Sequence, residues 1–403
     1  MSTSARSALV IVGAGLAGVR AAESARNAGH DGSIVLVGAE TALPYERPQV
    51  TKEALLAGAS PRHYADHDHL VGGLGVQLRL GTRATGLDRR RRLVRTTDGE
   101  IGYDALVVAT GAQPTPCPWG DLDGQVSTVR TAEDAVHLHR VLAGRRRVVV
   151  VGAGLIGSEI ASAAHVLGAE VTLVERGRGP LEASHGRTLA EHLAGLHHMA
   201  GTRLVTGAGV TSLVRAGGSV AVDLGSGERL VAEHVVWAVG VRSDLGWLAG
   251  SGIRVADGVL CSAAMVTNDP MVFVAGDVAR VVGADGALTA PRSMSQSMAA
   301  AQGLVAGHNA VTPPGSWSRT TATPYFWSTW YGRRIQGVGV PAARSTVLEE
   351  AGGTIHLYEH RGRLTGAVGI DAKASVQRVR ALLREGSSSG LPHAARAMTG
   401  RSA

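Results

Sequence analysis

Two short glycine-rich turns hold the residues best placed to do chemistry in this chain. Residues 8–18 read ALVIVGAGLAG and residues 147–157 read RVVVVGAGLIG. The pattern G-x-G-x-x-G is therefore written twice, at Gly13, Gly15 and Gly18 and at Gly152, Gly154 and Gly157. The first glycine permits a tight turn, the second lets the backbone approach a pyrophosphate, and the third lets helix pack on strand. A phosphate there would meet free amides and the positive end of a helix dipole. An acid follows each turn: Glu40 stands 22 residues after Gly18, and Glu175 stands 18 after Gly157. Both are placed to accept hydrogen bonds from ribose hydroxyls. Two such cradles imply electron transfer between two dinucleotides, one a tightly held flavin and the other an exchangeable nicotinamide. A carboxylate at Glu175 repels a 2′-phosphate and favours NADH over NADPH, with Arg176 and Arg178 as the opposing signal.

These residues need elements to hold them. Each turn follows an unbroken apolar run and opens an Ala-rich segment of helical composition, residues 19–28 and 158–167. Each then reaches a second β-branched run, residues 34–37 and 171–174, just before its acid. That is a βαβ unit written twice, and continuous apolar strands alternating with helices predict a parallel sheet covered on both faces. Residues 83–106 predict antiparallel strands around a turn at Asp98–Gly99, with Arg89 to Arg92 in a solvated loop. Residues 106–111, LVVATG, read as a buried strand ending in a glycine turn, and Pro114, Pro116 and Pro118 as a linker. The second half repeats this plan, with hairpin signals over 201–230, then VVWAVG at 235–240 and MVFVAGD at 271–277. Beyond about residue 315 the composition shifts. Trp317, Tyr325, Phe326, Trp327, Trp330 and Tyr331 crowd together, followed by an alternating strand at 363–370 and a helix at 375–384. The expected fold class is α/β: two Rossmann-like dinucleotide-binding domains plus a C-terminal α+β domain. The first domain takes residues 1–115 and 244–318, the second 116–243 and the third 319–385, with a disordered tail over 386–403.

Composition narrows the function. The chain has 403 residues, 44% hydrophobic and 18% charged, with net charge +7. Its basic residues are 38 Arg and only two Lys, Lys52 and Lys373. The positive charge lies in scattered singles and short runs, such as Arg145 to Arg147, with no interleaved aromatic residues, which argues against nucleic-acid binding. No apolar run reaches the roughly 18 residues of a membrane span. Two cysteines, Cys117 and Cys261, are too few for a disulfide scaffold, a cysteine-rich zinc site or a four-thiolate cluster. Both read as structural, and a reducing cytoplasm is the expected location. His63, His67 and His69, beside Asp66 and Asp68, read as a polar surface loop, with a metal site as the other reading.

The paired VGAGLAG and VGAGLIGSE motifs, Pro44-Tyr-Glu-Arg-Pro48 with Lys52, Ala109-Thr-Gly-Ala112 and Val274-Ala-Gly-Asp277 resemble the NADH-dependent ferredoxin reductases of oxygenase and cytochrome P450 systems. Pro324-Tyr-Phe-Trp-Ser328 and Gly366-Ala-Val-Gly-Ile370 resemble that family's C-terminal domain. The resemblance runs from about residue 8 to 385. It implies FAD at the first cradle, NADH at the second, and a small acidic [2Fe-2S] ferredoxin as partner, with the protein a monomer or homodimer. Carried over by position, Glu40 holds the adenosine ribose of FAD, Arg47 lies near the pyrophosphate, and Asp277 with Gly276 meets the ribityl chain. Ala109, Thr110, Gly111, Gly240 and Trp327 are also expected among the cofactor-binding residues. Lys52 sits beside the flavin N5 edge within reach of Glu159, and these two are the expected catalytic pair. Apart from the resemblance, one of only two lysines falls here, and a compact ammonium suits such a pocket better than a planar fork. A surface lysine, and for Glu159 a first-turn acid satisfying the helix dipole, are the alternatives.

The chain departs from the family at three places. Ala39 stands where an acid is usual. The family's Glu-Ser-x-x-Asn-Ala-x-x-Gln is Met294-Ser-Gln-Ser-Met-Ala-Ala-Ala-Gln302 here, and Ser-Asp-Gln is Ser328-Thr-Trp330. These positions are expected on the flavin or partner side. Two alternatives follow. In one, Met294, Met298 and Trp330 line a pocket for a small-molecule substrate of a biosynthetic flavoenzyme. In the other, the chain is a redox-signalling flavoprotein resembling apoptosis-inducing factor. The paired cysteines of the superfamily's disulfide reductases are absent, as is the single flavin-side cysteine of its oxidases and peroxidases: residues 40–52 contain none.

Overall fold

The computed structural model describes residues 7–144, 146–283, 288 and 292–385. Arg145 and the expected tail from residue 386 lie outside the described residues. The described chain forms two compact units. The first comprises the chain up to Glu46, Arg62–Gln113 and Arg242–Ala322; the second comprises Arg47–Pro61, Pro114–Val241 and the chain from Thr323. The segment Arg47–Pro61, numbered inside the first expected domain, thus packs with the second unit, tied there by His139, whose Nδ1 meets the Leu55 carbonyl at 2.9 Å.

The first unit is built on a five-stranded parallel sheet in the order Val272–Val274, Ala105–Val108, Leu9–Val12, Ile34–Val37, Val76–Arg79. The first four are buried along their whole length, as strands covered on both faces must be. Helix Leu16–Asn27 packs on helix Gln296–Val311 through small residues. A Cβ on Gly303 would stand 2.4 Å from the Ala17 carbonyl oxygen, and one on Gly307 2.1 Å from that of Ala21. The strands Ala84–Asp88, Leu93–Thr96 and Gly99–Gly102 form the expected antiparallel sheet around Asp98–Gly99. Arg89 is not the solvated residue expected: its Nε lies 2.6 Å from Asp269 and its Nη1 donates to the Ser251 carbonyl.

The second unit repeats the plan. Its parallel sheet runs Arg203–Thr206, Glu170–Glu175, Arg147–Val151, His234–Trp237, Val126–Ser127. Helix Ala132–Leu142 opens with a capping box between Thr131 and Asp134, satisfying two orphan amides at once. The C-terminal region is a five-stranded antiparallel sheet in the order Tyr325–Trp330, Arg333–Gly339, Arg363–Ile370, Gly353–His360, Ser345–Glu350, with helix Lys373–Arg384 against it. Leu189 and Leu193, on helix Arg187–Met199, share one core with Trp330, Ile335, Tyr358, Val368 and Ile370 of that sheet. Among the described residues, no helix is long and apolar enough to cross a membrane.

Candidate dinucleotide cradles and a buried ion pair

The three glycines of each turn have separate tasks. Gly13 has φ +121, and a Cβ there would stand 2.0 Å from the Ala109 carbonyl oxygen. Gly18 is closed by the turn itself, its Cβ position lying 2.0 Å from the Gly13 carbonyl oxygen and 3.2 Å from Leu36. Gly15, by contrast, has nothing within 4 Å. The second turn has the same arrangement. Gly152 (φ +100) would meet the Ala238 carbonyl at 2.5 Å, Gly157 would meet the Gly152 carbonyl at 1.8 Å, and Gly154 faces open space. Gly15 and Gly154 immediately precede helices Leu16–Asn27 and Leu155–Val166, where the first amides lack partners within the helix. Each turn is thus strained where it meets protein and open at the helix dipole's positive end, which fits a pyrophosphate.

In the first unit, Thr110 adds an orphan: its buried hydroxyl has no hydrogen-bond partner. Gly111 follows at φ +69 and Ala109 is buried. Glu40 accepts from the Tyr45 hydroxyl at 2.5 Å, which orients its carboxylate. Gly276, at φ +79, donates its N–H to Gln302 Oε1 at 2.9 Å and so sets the turn that carries Asp277. Tyr45 and Gln302, each inside a motif of the sequence, join the site only through these contacts. These groups fit FAD: open backbone at Gly15, an unpaired hydroxyl at Thr110 and carboxylates at Glu40 and Asp277. Arg47, in the second unit, donates from Nη1 to the Arg130 carbonyl at 2.6 Å.

In the second unit, Glu175 Oε2 accepts the Ala153 N–H at 2.8 Å and Oε1 the Gly177 N–H at 2.7 Å. The carboxylate therefore braces the glycine turn and still has lone pairs for a ribose. Gly240, at φ +108, accepts the Thr115 N–H through its carbonyl.

Glu159 is the fifth residue of helix Leu155–Val166, one turn deeper than expected, so it is no first-turn acid. It is 5% exposed. Lys52 Nζ lies 2.7 Å from its Oε1, and the Thr51 and Ser328 hydroxyls both donate to the same carboxylate. Trp330 Nε1 donates to Ser328 Oγ at 2.8 Å and thereby turns the Ser328 proton toward Glu159. A carboxylate taken out of water needs such company, since desolvation alone costs several kcal/mol. Lys52 is accordingly not a surface lysine. No local signal in the sequence marks Thr51 and Ser328, because they lie 108 and 169 residues from Glu159.

Trp330 corrects the pocket reading. It is fully buried, 5.3 Å from the His197 ring, whereas Met294 is 45% exposed and Met298 is buried. Trp330 is core, and no small molecule reaches it as the chain stands. Trp327 is half-buried and stacks on Tyr325. Burial pushes the Cys261 thiol up to about 12 and raises that of Cys117, so neither is a ready thiolate at neutral pH. His69 reaches Glu23 at 3.3 Å, and no group of three metal-binding side chains forms among the described residues.

Comparison with known proteins bears on the same features. Residues 7–303 match the pyridine nucleotide-disulphide oxidoreductase family, and residues 325–399 match a reductase C-terminal domain. The chain is 27% identical over 382 residues to the ferredoxin–NAD(+) reductase component of a 3-phenylpropionate/cinnamic acid dioxygenase from Photorhabdus laumondii, covering 93% of this chain and 95% of that one. It is 32% identical over 350 residues to putidaredoxin reductase from Pseudomonas putida, covering 82% and 80%. Among solved structures, a covalent putidaredoxin reductase–putidaredoxin complex matches with TM-score 0.90 at 27% identity, covering 97% of this chain and 96% of that one. The chain thus belongs to the pyridine nucleotide-disulphide oxidoreductase family and is a flavin-dependent NAD(P)H oxidoreductase with a reductase C-terminal domain.

Proposed function

We propose that the protein oxidises NADH and passes the electrons, one at a time, to a small acidic [2Fe-2S] ferredoxin that serves an oxygenase or a cytochrome P450. The observation that carries this reading is the pair of glycine turns, each open at its second glycine and each backed by an acid, in a chain with no ready thiolate. Similarity to reductases of dioxygenase and putidaredoxin systems supports the choice of acceptor. When bound, FAD supplies an acceptor for the hydride of NADH and a means of releasing electrons singly. Gly13, Gly15, Gly18 and Thr110 would hold it, with Glu40 toward its adenosine ribose and Asp277 toward its ribityl chain. Gly152, Gly154 and Gly157 receive the NADH pyrophosphate, and Glu175 accepts from its ribose. Lys52, fixed by Glu159, would supply positive charge to offset the negative charge that a delivered hydride brings. Hydride transfer asks for close positioning rather than a proton donor, which suits a site whose acid is already consumed in an ion pair. A reducing cytoplasm fits the two free thiols.

The test is spectroscopic, then kinetic. The purified full chain is expected to be yellow, to bleach anaerobically with NADH, and to reduce an acidic [2Fe-2S] ferredoxin faster than small quinones. With net charge +7, that rate should fall as salt rises, because screening removes the steering of an acidic carrier. A colourless protein that takes up no flavin, or one that bleaches but prefers quinones at every ionic strength, overturns the reading.

A further inference from the structure

The Glu159 carboxylate divides its contacts unevenly. Oε1 takes Lys52 Nζ at 2.7 Å and the Ser328 hydroxyl at 2.5 Å, whereas the Thr51 hydroxyl donates to Oε2. Lys52 and Ser328 therefore meet at one oxygen, and the direction of the Ser328 hydroxyl bears on how the ammonium is held. A serine hydroxyl has one proton and two lone pairs, and it rotates to suit its neighbours. Ser328 is fully buried, so bulk water does not set that rotation. Trp330 sets it. Two residues further along strand Tyr325–Trp330, and so on the same face, its Nε1–H donates to Ser328 Oγ at 2.8 Å. The indole takes one lone pair, the proton turns to Glu159, and donation into the oxygen strengthens donation out of it. Without the indole N–H, that oxygen lies open to the neighbouring ammonium and competes with Glu159 for it.

The indole is itself held in place. The His197 ring lies 5.3 Å from it, tilted by 35°. Both nitrogens of His197 are engaged, Nε2 with Ser158 Oγ at 3.2 Å and Nδ1 with the Tyr331 hydroxyl at 2.9 Å. The Tyr331 N–H donates to Ser162 Oγ at 2.7 Å, which fastens the end of the strand to helix Leu155–Val166, the helix that carries Glu159. We propose that Trp330 is a positioning residue for hydride delivery: through Ser328 it holds the Glu159 carboxylate in the orientation that fixes Lys52. Its influence runs along the chain Trp330–Ser328–Glu159–Lys52 and needs no contact with cofactor or substrate. This rests on the reading of Lys52 as the charge beside the flavin. It gives a use to the tryptophan that stands where the family pattern has glutamine.

The test is a double-mutant cycle on the FAD-loaded full chain, read by anaerobic stopped-flow, which separates the limiting rate of flavin bleaching from the Kd of NADH. Two changes remove the indole N–H. One is Trp330→Phe; the other replaces the Trp330 side chain with that of benzothienylalanine, whose sulfur takes the place of the N–H while the ring size is kept. Each is expected to lower the limiting rate about fivefold and to leave the Kd of NADH within about twofold of the parent. In the Ser328→Ala background, either change should lower the rate by less than about 1.5-fold, because the hydroxyl it acts through is gone. Should Trp330→Phe lose FAD, the benzothienyl form decides by the same criteria. A benzothienyl form that bleaches at the parent's rate, or a slowing of equal size with and without Ser328→Ala, makes Trp330 a packing residue and overturns the proposal. If Lys52→Met is slow in either case, the reading of Lys52 stands and only the role of Trp330 falls. If Lys52→Met itself bleaches at the parent's rate, the reading of Lys52 fails and the proposal goes with it.

Discussion

Lys52 and Glu159 form a buried ion pair braced by two hydroxyls from remote segments. A buried carboxylate with an ammonium at 2.7 Å and two hydroxyl donors is held in one orientation, and it fixes the ammonium in turn. Removing the lysine should leave the fold, since Thr51 and Ser328 still serve the carboxylate. Lys52→Met is therefore expected to retain bound FAD and to slow its reduction by NADH at least about tenfold, roughly 1.4 kcal/mol of barrier. Stopped-flow bleaching at the parent's rate would show that the ion pair is structural only. That Lys52 is not an ordinary surface lysine is legible in how scarce lysine is in this chain; the hydroxyl donors to its partner Glu159 are not, because nothing in a run of neighbours announces a contact 169 residues away.

The glycine turns show how an element sorts residues of one type into different duties. Gly154 and Gly157 both belong to the second motif, yet a Cβ on the first meets nothing and a Cβ on the second meets the Gly152 carbonyl oxygen at 1.8 Å. Gly154 has φ −72, which alanine adopts without strain. Gly154→Ala should keep the parent's denaturation midpoint while weakening NADH binding about tenfold, because its methyl occupies the space left for the pyrophosphate. Gly157→Ala should instead lose about 1–3 kcal/mol of stability from overpacking. Chemical denaturation and NAD(+) titration of the two variants separate these outcomes, and identical behaviour would show that the turn's duties are not divided. Helix starts were misread in both copies for a related reason. Leu16 and Leu155 follow glycine directly and read as turn, whereas the structure begins each helix there. That shift of three residues moved Glu159 from the expected first turn to the second.

The C-terminal sheet shares a core with helix Arg187–Met199, and His197 and His356 are fully buried at that junction. His197 lies between Ser158 and Tyr331, with Thr202 on the same phenol and His198 as the neighbouring charge. His356 faces His192 and Ser345, and His185 faces Phe326, Tyr358 and Ser184. Burial lowers His185, His197 and His356 to about 4. The unfolded chain, with histidines near 6.5, therefore takes up protons first as pH falls. Stability is fully present above about pH 6.5 and is lost progressively toward pH 4, by up to about 1.4 kcal/mol per pH unit for each such histidine. Scanning calorimetry from pH 8 to 4.5 should show a melting temperature flat at first and then steadily falling. A melting temperature constant down to pH 4.5 would mean that these rings are already charged or freely hydrated in the folded state.

Two parallel-sheet units, their glycine turns and the acids after them follow from local pattern: apolar runs, glycine spacing and alternation act between near neighbours, and strands 34–37 and 363–370 come out residue for residue. Tertiary structure alone decided that Arg47–Pro61 packs with the second unit, that Trp330 is core, and that Glu159 has hydroxyl donors from two remote segments. Those contacts close loops of up to 169 residues. Their geometry depends on where whole elements dock, and no periodicity within a single element encodes it.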